Sequence, residues 1–162
     1  MATDMHGYST PWPLRPLAKA HGSAWSTDHR VPVPPGFLNT RGAKLQLHVT
    51  GTDDSVQGWF VAWGRINAAA ASGVTLLTVP TSGGAVNFHA YIEIVVLDYR
   101  RVYVTMIGFQ TGTVPAPAIV TVQRPSSWIT VYSNASTGIS MVEAMYYPAQ
   151  RNAGTDFPTS GG

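Results

Sequence analysis

The sequence predicts an all-β chain: an eight-stranded antiparallel β-sandwich, jelly-roll-like, carrying an extended N-terminal arm. Three observations lead there. From Leu45 onward, eight short runs of apolar and β-branched residues follow one another with turn-forming residues between them. No run has the length or three-to-four-residue apolar spacing of a helix. In front of them, residues 1–44 hold Pro11, Pro13, Pro16, Pro32, Pro34 and Pro35, which remove backbone donors and bias their predecessors toward extended geometry.

The elements follow in order. LQLHVTG at 45–51 alternates apolar and polar residues, and Gly51, Thr52, Asp53 and Asp54 read as the turn after it. GWFVAWGRI at 58–66 puts Trp59, Val61 and Trp63 on one face and Phe60 and Ala62 on the other. Both faces are therefore covered, as in a central strand. The alanines at 68–71 are too few to hold a helix between that strand and VTLLTVP at 74–80. AVNFHAYIEIVVLDY follows, with Val86, Phe88, Ala90, Ile92, Ile94 and Val96 on one face against Asn87, His89, Tyr91 and Glu93. Asp98 to Arg101 form a tight polar connection to RVYVTMIGF, so the two strands make a hairpin. AIVTVQR, WITVYS and ISMVEAMYY complete the set, and Pro148 ends it. The division is an arm at 1–44, a sandwich at 45–147 and a flexible tail at 148–162.

Composition limits the function. A chain of 162 residues buries roughly 70% of its unfolded surface and needs no staple. Charged residues make up 11%, against the roughly 25% usual in soluble domains, so the surface is left to Thr, Ser, Gly, Asn and Gln. With no cysteine, disulfides, thiolate metal sites and cysteine nucleophiles are excluded. The net charge is +2, and its excess lies in the arm: Arg15, Lys19, Arg30, Arg41 and Lys44 against Asp4 and Asp28. Cations so dispersed predict weak or no nucleic-acid binding. The start has no apolar signal region, and no stretch approaches the ~20 apolar residues of a membrane span. A soluble chain without a signal peptide is expected.

Catalytic patterns are missing. His6, His21 and His29 lie in the arm, while His48 and His89 lie on polar strand faces without a paired-ligand spacing, so no metal or other cofactor is expected. Glu93 and Glu143 are the carboxylates best placed to meet. Two surface acids are the commoner outcome, and a glycosidase pair needs them about 5 to 9.5 Å apart across a cleft. No nucleophile elbow or phosphate-binding glycine loop occurs. The sequence predicts a non-enzyme.

The arm also carries apolar side chains, too many for a solvated tail. They either pack on their own sandwich or lie on a neighbouring subunit. The residues expected at such an inter-subunit contact are Trp12, Leu14, Arg15, Leu17, Trp25, Val33, Phe37 and Leu38.

An apolar arm, an eight-strand sandwich, low charge and no catalytic cluster together resemble viral single jelly-roll capsid proteins and phage decoration or cement proteins of β-sandwich type. The resemblance covers residues 45–147 as architecture, with the arm as a second shared trait. It implies a virion structural protein, located in the capsid shell, with copies of itself and other capsid proteins as partners. The chain lacks the Arg-rich tail with which many small coats bind a genome. The alternative is a carbohydrate-binding or receptor-binding module, with Trp59, Trp63, Trp128, Tyr91, Tyr103, Tyr132, Tyr146 and Tyr147 as the aromatics that could build a glycan platform or an interface.

Overall fold

Period-two alternation along the long strands decides the layering. In the segment 85–96, Phe88, Ala90, Ile92, Ile94 and Val96 are buried, while Asn87, His89 and Tyr91 between them are exposed. One face turns inward and the other outward, and the same holds for Leu45, Leu47 and Val49 and for Val102, Val104 and Met106. The result, seen in a computed structural model, is an all-β sandwich of two antiparallel sheets. The structure describes residues 12–14, 28–54, 58–64, 73–80, 85–107, 114–123, 126–133 and 138–149.

Ten strands lie among these residues: β1 (Trp12–Leu14), β2 (Asp28–Pro32), β3 (Lys44–Asp54), β4 (Trp59–Trp63), β5 (Val74–Val79), β6 (Ala85–Val96), β7 (Arg101–Met106), β8 (Ala118–Thr121), β9 (Trp128–Ser133) and β10 (Gly138–Tyr147). A 3-10 turn spans Phe37–Asn39. One sheet has the order β1-β10-β3-β6-β7-β8, the other β2-β9-β4-β5. The eight runs read from the sequence are β3 to β10. Within them β3 pairs β10, β4 pairs β9 and β6 pairs β7, while β5 and β8 lie at the edges of different sheets. The longest strands, β3 and β6, also pair along the whole of β3.

Trp59, Val61, Trp63, Ile129, Val131, Leu77 and Val79 from the smaller sheet meet Leu45, Leu47, Val49, Phe88, Ile92 and Ile94 from the larger in one core. Trp59 stacks on Phe88 with ring centres 5.4 Å apart. β4 is central, between β9 and β5, and Ala62 on its second face is fully buried.

Two sequence expectations need correction. The first is the boundary of the arm. β2 is the edge strand beside β9, and Val31, Phe37 and Ala43 belong to the core, so the sandwich starts by Asp28 and not at residue 45. The prolines explain how. Pro32 ends an edge strand, where a missing donor costs no ladder bond. The Pro34 carbonyl oxygen accepts from Phe37 N at 3.1 Å in a turn, and Gly36 supplies the left-handed φ of 74° that the turn requires. Gly42 N then donates to Val96 O, and Val96 N to Ala43 O, fastening the segment to β6.

The second concerns Gly51 to Asp54, which continue β3 instead of turning. Gly51 lies against Gly138 and Phe88, where a Cβ would overlap the Gly138 carbonyl oxygen. Its glycine serves close approach of backbone, not a turn.

Candidate functional site

The inward residues of the six-stranded sheet are spent on the core, and its outer face carries what is left. Register sets the rows. Tyr147 on β10 stands opposite Lys44 on β3, which stands opposite Val95 on β6, Tyr103 on β7 and Ile119 on β8. The next row is Met145, Gln46, Glu93 and Thr105; the one after is Glu143, His48 and Tyr91. Tyr91, Tyr103 and Met145 are each more than one third exposed, and Ile119 is 61% exposed on the edge strand. Exposed aromatic and aliphatic side chains therefore share this face with few charges.

Polar links run across its strands. Lys44 Nζ meets Glu93 Oε1 at 3.1 Å and sits 4.6 Å from the centre of the Tyr147 ring. The Tyr147 hydroxyl donates to Gln46 Oε1 at 3.2 Å, and Thr52 Oγ1 to Asn87 Oδ1 at 2.8 Å. His48 lies flat against Tyr91, ring centres 4.5 Å apart and planes 3° from parallel, and its Nε2 is 3.4 Å from His89 Nδ1. Partial burial, and secondarily the neighbouring His89, hold the His48 imidazole below its usual range, while Glu143 pulls the other way. Glu93 and Glu143 share this face with β3 between their strands, about two strand spacings or ~9.5 Å apart sideways plus a two-residue step along the strands.

The residues expected at an inter-subunit contact divide into four groups. Phe37 is 1% exposed and packs on Trp63 and Tyr146 of its own chain, ring centres 5.8 and 6.1 Å away, which takes it out of any contact between subunits. Val33 and Leu38 are partly buried against the same core. Trp12 and Leu14 belong to β1, whose backbone pairs with Tyr146 and Ala144 at the β10 edge. Arg15, Leu17 and Trp25 lie outside the described residues.

Trp59 and Trp63, offered as glycan platforms, are buried in the core, Trp59 fully and Trp63 with only an edge toward the surface, so neither offers an exposed ring face. Their strict alternation with Val61 was already the signal of a core face. Tyr91 and Tyr103, candidates from the same set of aromatics, are exposed instead, on a face legible from the period-two pattern.

Elsewhere, an open pocket of about 400 Å³ lies between the turn at Pro34 to Asn39 and Ser126 and Ser127, with Trp63 and Tyr99 in its wall. Among the described residues no group of three or more histidines and carboxylates is placed to hold a metal ion, and no helix is long and apolar enough to cross a membrane. Comparison with protein families, curated proteins and solved structures finds no match to this chain.

Proposed function

We propose that this chain is a non-enzymatic structural subunit of a viral shell, a decoration, cement or small coat protein, and that its N-terminal segment ties subunits together. The observation that carries the reading is β1. Three residues join the sandwich as an added strand on the β10 edge, in the antiparallel register Trp12 to Tyr146, Pro13 to Met145 and Leu14 to Ala144. Strand addition of this kind takes its affinity from main-chain hydrogen bonds, so the seat on β10 serves a segment from the same chain or from a neighbour equally well. Trp12, Leu14, Arg15, Leu17 and Trp25 are the contact residues that remain once Phe37 is assigned to the core and Val33 and Leu38 to its edge. Partners are further copies of the chain and other shell proteins. Nucleic acid is bound weakly or not at all, because the cations are few and dispersed.

Light scattering and negative-stain microscopy of the purified chain test this. A defined multi-subunit particle, or saturable attachment to a preformed shell, supports the proposal. A monomer at every concentration that attaches to no shell contradicts it.

A carbohydrate- or receptor-binding module is the second reading, and the exposed Tyr91, held parallel to His48, is the observation in its favour. Glycan binding abolished by Tyr91→Ala in a folded protein would establish it over the first.

A further inference from the structure

We propose that His48 and His89 form a one-proton clasp between β3 and β6, whose second protonation opens the pair and charges the outer face of the six-stranded sheet. The geometry carries this. The two rings are 5.7 Å apart between centres and inclined by 21°, while the nitrogens are 3.4 Å apart, so Nε2 of His48 and Nδ1 of His89 face each other along the line joining the rings. In that arrangement one nitrogen carries the hydrogen and donates it, and the other accepts through its lone pair. A metal ion needs both lone pairs aimed at a third point about 2.0 to 2.1 Å from each nitrogen, and here they are aimed at one another. The pair is built for a proton.

Its surroundings decide how many. Glu143 stands directly across from His48 on β10 and favours a first positive charge. On β6, Tyr91 covers the His48 ring and limits its hydration. Two positions along, Gln46 is neutral and Glu93 is already engaged by Lys44. Thr50 stands opposite His89, and among the described residues no carboxylate is paired with it. The singly protonated pair keeps its N–H···N bond with the added charge balanced by Glu143. A second proton turns the acceptor into a donor, leaving two N–H groups head to head and two like charges in contact. The side chains must then part, and His48 leaves Tyr91. A face that is nearly neutral above the imidazole range becomes cationic below it, a charge change open to any ligand or neighbouring copy that uses this surface.

Imidazole NMR titration of the full chain, from neutral to mildly acidic pH, tests the clasp whether or not the protein assembles. The expected result is two separated protonation steps for His48 and His89, as coupled groups show. In His89→Gln, His48 should lose its partner and follow a single-site curve; in Glu143→Gln, the first step of the intact pair should move to lower pH. Coincident, independent single-site curves in the native chain, or a His48 titration curve unchanged by His89→Gln, would overturn the proposal.

Discussion

The indole N–H of Trp63 donates to the carbonyl oxygen of Ser126 at 2.9 Å, whereas that of Trp59, on the same strand and the same inward face, is buried without a hydrogen-bond partner among the described residues. A buried donor without a partner is worth less than its absence, while breaking a made bond leaves the acceptor stranded. Trp63→Phe should therefore destabilise the sandwich more than Trp59→Phe, by about 1 kcal/mol, the net worth of one such bond. Urea unfolding of the two variants checks the order.

Phe37 gives a second contrast, between fold and assembly. It packs on Trp63 and Tyr146 inside its own chain, so Phe37→Ala should cost about 3 to 5 kcal/mol of stability, the usual range for deleting a buried phenyl ring. Equilibrium denaturation is the measurement. A variant of unchanged stability that assembles poorly would return Phe37 to the contact between subunits.

The fold was legible wherever alternation was unbroken. Phe88 to Val96 and Val102 to Met106 announced strand, facing and hairpin together, because burying one face of a sheet forces a period of two. The residues before Lys44 were harder. Their prolines read correctly as hostile to helix, yet proline is also at home on an edge strand or in a turn, and Pro32 and Pro34 use those allowances to bring Val31 and Phe37 into the core. The role of Gly51 could not be seen at all, since the nearness of Gly138 depends on a strand more than eighty residues away. The outer face was legible as a polar face, but the meeting of His48 with His89 and Tyr91 depends on the β3–β6 register, which the sequence does not specify.

That close approach is itself testable. Gly51→Ala would set a methyl group against backbone at Gly138 and within 2.9 Å of the Phe88 ring, at the point where the β10 register shifts between Ile139 and Met141. Backbone cannot rotate away as a flexible side chain can. The variant should lose stability by more than the small propensity difference between the two residues, and thermal unfolding should show a lower midpoint than for Gly36→Ala, where a Cβ meets open space and only the left-handed φ opposes it.

Asp98 closes the β6–β7 hairpin. Its carboxylate accepts from Arg100 N at 2.9 Å, Arg101 N at 2.8 Å and Arg101 Nε at 2.6 Å. The Arg100 backbone bond first, and the Arg101 side chain next, hold its carboxyl below the usual range. A carboxyl depressed in the folded state stabilises above its unfolded value and ceases to do so as pH falls through the folded one. The hairpin should therefore weaken only in strong acid. Asp98→Asn should remove that pH dependence, read as faster amide exchange at Arg101 in the variant at neutral pH and a smaller acid effect.

Under the proposed function, the residues before Asp28, β1 among them, serve assembly, and the sandwich folds without them. The direct measurement is the solution mass and circular dichroism of the full chain beside a version lacking residues 1–27. The shortened chain should keep its β spectrum and cooperative unfolding, and lose the multi-subunit particle or the attachment to a shell. A shortened chain that unfolds would make β1 and the residues around it part of the fold, and one that assembles as the full chain does would contradict the claim.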